Sequence, residues 1–194
     1  MIQKTDFKPG TMIYPLPAVL VSCGDSPENY NLITIAWTGT LCTDPPICYI
    51  SVRPERYSYT LIKRTGEYVI NLTTAEMARA VDFCGIKSGR DVNKWTITRL
   101  TPGQAKTVCA PIVMESPVNI ECRVIEIKEL GCHHAFISEV TNIRVTDKLL
   151  DSNTGQFRLT DANLLAYVHG DYRFIGKKIN KFGYSVQKKQ KRSR

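Results

Sequence analysis

Residues 118–130 read VNIECRVIEIKEL and residues 133–145 read HHAFISEVTNIRV, with Gly131 between them. Both runs alternate apolar and polar positions over a dozen residues, a period only a strand satisfies. The short turn between them makes the two strands antiparallel neighbours, a long hairpin. This pair fixes the class: the chain must wrap other strands around a hairpin too long for a small α/β unit. The rest agrees. Residues 18–23 (AVLVSC), 31–37 (NLITIAW), 47–52 (ICYISV) and 67–72 (EYVINL) read as strands, and 164–167 and 171–175 as two shorter ones. In 31–37, Leu32, Thr34 and Ala36 face one way and Ile33, Ile35 and Trp37 the other.

Helical spacing appears only twice. Glu55 to Arg64 follows Pro54, which suits a first helical position, and Gly66 suits the C-terminal cap. Thr74 precedes a second helix over 75–83, with Met77, Ala80, Val81 and Cys84 on one face. The stretch Gly85 to Trp95 reads as a glycine-rich connection in which Asp91 caps a short turn and leaves Lys94 on its exposed side. Mostly antiparallel strands with few short helices predict a mainly β fold, a β-barrel with helical insertions. No G-x-G-x-x-G follows the first strand, which argues against a doubly wound dinucleotide domain.

The chain has 194 residues, 43% of them hydrophobic, enough for one domain with a core that needs no staple. Its charge is lopsided. Of 26 basic residues, eight lie in 177–194 without any acid, and removing them leaves 18 basic against 18 acidic. Residues 1–176 therefore read as one electrically balanced domain and 177–194 as a basic tail, a pattern that does not favour nucleic-acid binding. No apolar run approaches the roughly 20 residues of a membrane helix, and Lys4, Asp6 and Lys8 do not suit a secretory signal. The seven cysteines are odd in number, scattered and without C-x-x-C, so free thiols in a reducing cytoplasm are expected. Cys48 and Cys122 read as small core residues. Cys132, His133 and His134 are consecutive, and strand neighbours point apart, so no metal site is expected.

Polar residues unneeded by a barrel core fall in four segments. Residues 34–40 (TIAWTGT) end a strand in small and hydroxyl residues. Residues 51–58 (SVRPERYS) set two arginines and two hydroxyls where a strand meets a helix start, a place suited to phosphate. The residues alone leave open whether the arginines bind phosphate or pair with Glu55. Residues 88–95 (SGRDVNKW) carry Asp91 and Lys94, and His133 is followed further on by Tyr167 and Tyr172.

The runs NLITIAW, DPP, SVRPERYS, GEYVINL and CGIKSGRDVNKW, in that order and spacing, resemble the flavin reductase-like family, and within it the flavoredoxin-like branch. The resemblance extends from about Met12 to Tyr172. It implies a split β-barrel that binds FMN, usually as a homodimer with the flavin near the subunit interface. By that resemblance Asn31, Thr34, Ala36, Trp37 and Thr38 would line the isoalloxazine, largely through backbone groups. Ser51, Arg53, Arg56 and Ser58 would hold the ribityl phosphate, with Lys94 nearby and Val52 and Tyr57 supporting the loop. His133 and Tyr167 would approach the flavin from the hairpin and the C-terminal segment. Ser58 stands where many relatives carry threonine and keeps the hydroxyl. The implied function is an FMN-dependent oxidoreductase moving electrons from NAD(P)H or a protein donor to a flavin, ferric or protein acceptor. A non-enzymatic FMN electron carrier is the alternative, and a β-barrel nucleic-acid module the third reading. No acid–base dyad stands out, so no catalytic side chain is assigned; the redox chemistry would belong to the cofactor.

Overall fold

A computed structural model describes residues 1–186. The strands are β1 (Leu16–Pro17), β2 (Val19–Cys23), β3 (Asn31–Ile35), β4 (Thr38–Thr43), β5 (Pro46–Val52), β6 (Glu67–Leu72), β7 (Pro102–Gly103), β8 (Ile112–Val113), β9 (Val118–Glu129), β10 (His134–Val145), β11 (Leu165–Val168) and β12 (Asp171–Phe174). Three α-helices interrupt them: α1 (Tyr57–Thr65), α2 (Ala78–Ile86) and α3 (Lys94–Thr98). Seven strands form one antiparallel sheet in the order β3-β2-β6-β9-β10-β5-β4. The β9–β10 hairpin is its spine, with bulges near Ser138 and Asn142 that bend the sheet. Its edge strands, β3 and β4, are joined through only Ala36 and Trp37, so the sheet curls until its edges meet at that corner. The Ser51 amide bonds the Trp37 carbonyl there at 2.9 Å. This is the split barrel.

Strand alternation divides the core in two. Val19, Val21, Cys23, Ile33 and Ile35 point into the barrel with Ile50, Tyr68 and Phe136. Ala18, Leu20 and Leu32 point the other way, under Val81 and Cys84 of α2 and Trp95 of α3. Every residue of β2 is therefore buried. Cys48 and Cys122 meet in the barrel core with their sulfurs 3.6 Å apart, as small core residues should. The short strand β11 pairs with β1 on one side and β12 on the other in a separate three-stranded sheet beside the corner.

Several local readings shift. The third strand stops at Ile35, because the chain must turn at Ala36–Trp37 to start β4. β4 itself has no sequence signature: it is an edge strand, mostly exposed, of small and hydroxyl residues. Helix α1 begins at Tyr57 and not at Glu55. Pro54 lies in a turn that the Arg56 amide closes onto the Arg53 carbonyl at 3.0 Å. Gly66 does end the helix, in the left-handed conformation at φ 70°, its amide on the Ile62 carbonyl. The second helix opens with a single 3-10 turn (Ala75–Met77) and runs on to Ile86. Among the described residues no helix is long and apolar enough to cross a membrane. The basic run from Lys188 lies outside the described residues.

Candidate active site

Among the described residues strand β3 pairs only with β2, which leaves its other edge open there. Along that edge two cavities run end to end, sharing Ile33, Arg53 and Arg56. The first, about 320 Å3, lies at the corner where the sheet edges meet. Thr34, Ala36, Trp37, Ser51 and Val52 line it, and His133 and Tyr167 close it from the hairpin and from β11. The Thr34 hydroxyl is spent on the Val81 carbonyl of α2, so what this residue offers the cavity is its backbone. Trp37 is 41% exposed and stands edge-on to His133 with ring centroids 4.6 Å apart. It is a cavity wall and not a core residue. Tyr172, 6.0 Å from Tyr167, lines the same slot.

The second cavity, about 250 Å3, is a basic basin. Arg53, Arg56, Lys87, Arg90 and Lys94 line it against one acid, Glu55. The N-terminus of α1 opens into it: Tyr57 and Ser58 line the basin, no side chain among the described residues caps the helix, and its first turn holds no acid. Uncapped amides and the helix dipole add to the positive character. Arg53 does pair with Glu55, at 3.1 Å, but both side chains are about half exposed or more, so the pair is easily exchanged for a stronger anion. Ser58 is buried and accepts from Asn31 Nδ2 at 2.8 Å.

Lys94 departs from the sequence reading. Asn93, not Asp91, caps α3, accepting from the Thr96 amide at 3.1 Å. Lys94 is then not exposed but buried, its Nζ donating to the carbonyls of Leu32 and Cys84 at 2.6 and 2.8 Å. Cys84 and Gly85 are near the C-terminus of α2, whose last carbonyls lack helical partners. Lys94 caps the first and Arg56 the second, at 3.3 Å. Burial lowers the Lys94 pKa; the thiols of Cys84 and Cys23 oppose that, weakly, because burial pushes them up to about 11 and about 12. Burial, and then Arg53, also lowers the pKa of His133. His133 and His134 diverge as strand neighbours should: His134 Nδ1 shares a hydrogen bond with the Tyr59 hydroxyl at 2.8 Å, while His133 turns to Trp37.

Thirteen of the fourteen residues singled out in the sequence thus line the two cavities. Thr38 does not: it is buried behind the slot, its hydroxyl on the Tyr49 carbonyl at 2.6 Å. Lys87 and Arg90 also line the basin and stand outside that set of fourteen. Both had the same signal, a place in the CGIKSGRDVNKW run.

Comparison with known proteins places this geometry. Residues 11–176 match the model of the flavin reductase like domain, and the chain belongs to that family. A protein of Archaeoglobus fulgidus is 32% identical over 139 residues, 72% of this chain and 77% of its own length. The flavoredoxin of Desulfovibrio vulgaris (Miyazaki F) superposes with a TM-score of 0.87 at 28% identity, covering 95% of this chain and 100% of that one. The flavoredoxin from Methanosarcina acetivorans gives 0.86 at 23% identity, covering 96% and 100%. The split barrel is therefore the family's fold.

Proposed function

We propose that the protein is an FMN-dependent oxidoreductase of the flavin reductase type, taking electrons from NAD(P)H or a protein donor and passing them to a flavin, ferric or protein acceptor. One observation carries this reading: a basic basin at an uncapped helix N-terminus continues into a slot with an open strand edge and an aromatic wall. A phosphate fits the first and a flat polar heterocycle the second. The family membership and the likeness to flavoredoxin support the same ligand.

The residues divide the work. Arg53, Arg56 and the amides at the start of α1 bind phosphate, with Ser58 and Asn31 fixing the loop beneath. The backbone of β3 from Thr34 to Ala36 meets the polar edge of the ring, and Ser51 and Val52 meet it across the corner. Trp37, His133 and Tyr167 cover the slot and limit water. When bound, FMN supplies one- and two-electron chemistry that no side chain provides. His133, neutral at pH 7 because its pKa is lowered, offers a hydrogen bond without adding charge beside Arg53.

We also read the protein as a homodimer. Ile2, Phe7 and Ile13 before the barrel and Ile179 and Phe182 after it are exposed large apolar residues on two terminal arms, which a second copy would cover. Sedimentation of the purified chain tests this, and a monomer at micromolar concentration removes it.

The main test is the visible spectrum of the purified protein and identification of the flavin it releases. A colourless protein that gains no flavin band on adding FMN ends the reading. Steady-state NAD(P)H oxidation with free flavin or ferric acceptors then separates an enzyme from an electron carrier.

A further inference from the structure

Helix α2 carries two apolar stripes, where a helix with one buried side carries one. Val81 and Cys84 face the core. On the same side the carbonyls of Val81, Cys84 and Gly85 hold Thr34, Lys94 and Arg56 of the site. Ala80, Phe83 and Ile86 make the second stripe, at helical spacing. It faces a groove of about 930 Å3 that Ile97 of α3 and Leu100 complete. The floor is accessible: Ile86 is 68% exposed and Ile97 52%.

Charges rim this groove in equal number, Glu76, Asp82 and Glu115 against Arg79, Lys87 and Arg99. Among the described residues none of them is in an ion pair. The Glu115 carboxylate accepts from the Thr101 amide, and Asp82 from the Tyr172 hydroxyl at 3.4 Å. The three cations have no carboxylate against them among the described residues. An apolar floor inside a rim of both signs has the layout of an interface, and it fits a segment that is itself apolar and mixed in charge.

Residues 1–13 are such a segment. They belong to no helix or strand and are exposed throughout. Ile2, Phe7, Met12 and Ile13 are exposed large apolar side chains, interspersed with Lys4, Asp6 and Lys8. None of these residues lines the groove of its own chain. An extended arm of this length spans about 40 Å, enough to cross to a neighbouring molecule. The arm at the other end of the barrel suits the groove less well. Residues 175–186 carry Lys177, Lys178 and Lys181 and no acid, so Arg79, Lys87 and Arg99 would repel them.

We propose that the groove between α2 and α3 is the docking site for the N-terminal arm of a second copy, so that two chains exchange arms. Each arm then lies on the outer side of the helix whose inner side holds the site. The inference rests on the homodimer reading and names the surface that forms the dimer.

The test uses the full chain. Phe7→Cys and Ile97→Cys are made as separate proteins, mixed, treated with a short bismaleimide and digested, and linked peptides are identified by mass. A link between positions 7 and 97 in the mixture joins two chains, and it is expected; links through the native exposed thiols of Cys42, Cys109 and Cys132 differ in mass. In sedimentation, Phe7→Asp and Ile97→Asp are each expected to weaken the dimer about tenfold or more, the scale of one large apolar side chain returned to water. The double variant should be little weaker than either single one, because the two residues share one contact. Both positions are exposed in the single chain, so monomer melting should stay unchanged. A dimer that yields no link between 7 and 97 in the mixture overturns the inference. So does a dimer that both aspartate variants leave at wild-type strength, or a link that forms only within single chains of a doubly substituted protein. A wild type that stays monomeric at micromolar concentration overturns the homodimer reading itself, and this inference with it.

Discussion

Lys94 Nζ lies 2.6 Å from the main-chain carbonyl of Leu32 and, through a second bond of 2.8 Å to that of Cys84, ties the open edge of β3 to the end of α2. The floor of the basin is therefore held by a buried ammonium. Lys94→Met keeps most of the volume and orphans both carbonyls, at about 1–3 kcal/mol for each buried group left unpaired. The variant is expected to unfold at lower denaturant and, where folded, to bind FMN more weakly. Stability equal to wild type would show that water replaces the lysine.

Arg56 acts at the surface of the same basin, with one long bond to Gly85. A charge-assisted hydrogen bond to phosphate is worth about 1.5–3 kcal/mol. Arg56→Ala is expected to weaken FMN about ten- to a hundred-fold and to leave riboflavin, which has no phosphate, almost unaffected. Equal weakening of both ligands would place Arg56 elsewhere than at the phosphate.

How far the sequence reaches is clear from Lys94 and its neighbours. Alternation in residues 118–145 suffices for the hairpin, and alternation in 31–35 for the two faces of β3. Both are local periods enforced by burial. Lys94 is not local: a lysine in a glycine-containing connection reads as solvated, and its burial depends on carbonyls 62 and 10 residues away. Asp91 and Asn93 are equally good caps on paper; the start of α3 chooses Asn93. β4 escapes because an exposed edge strand has no apolar face to show. Lys87 and Arg90 lie in the CGIKSGRDVNKW run, but they reach the basin only through the path of the 87–93 connection, which the order of residues alone does not give.

Glu121 is fully buried in β9, and among the described residues no cation pairs with its carboxylate. It accepts from the amides of Lys106 and Thr107, at 3.0 and 2.6 Å, and from Asn142 Nδ2 at 2.8 Å. Burial raises its pKa, but these donors outweigh it and the pKa is lowered from the ordinary 4.5. The folded chain thus binds fewer protons than the unfolded one below that value. The stabilisation is complete above pH 4.5 and is lost as pH falls through the folded pKa. Glu121→Gln is expected to cost about 2 kcal/mol near neutrality. The gap between variant and wild type should close in denaturant melts at progressively lower pH. A constant gap would show that shape and not charge holds the 104–109 loop.

His133 titrates in the same direction at higher pH. Its pKa is lowered from 6.5 by burial and then by Arg53, so the folded state resists its protonation. Its contribution to stability is full above pH 6.5 and falls away as pH drops through the lowered pKa. The imidazole proton resonances are expected to titrate with a midpoint below 6.5. Arg53→Ala should move that midpoint upward but not fully, because burial remains. An unmoved midpoint would remove Arg53 as a neighbour of the ring.

Trp37 separates core from cofactor wall. A tryptophan truncated in a packed core costs about 3–5 kcal/mol. Trp37 is 41% exposed, touches His133 edge-on and lines the slot, so it has little core to lose. Trp37→Ala is expected to leave apoprotein melting nearly unchanged. Its loss should instead fall on the ligand: an aromatic contact adds about 1 kcal/mol beyond buried area, so FMN affinity should drop roughly tenfold when both are removed. The bound flavin's visible bands should also shift, because the ring loses an aromatic neighbour and gains water. Melting and FMN titration on the same protein decide the matter. A large drop in melting temperature with normal affinity would return Trp37 to the core and move the flavin out of the corner between β3 and β5.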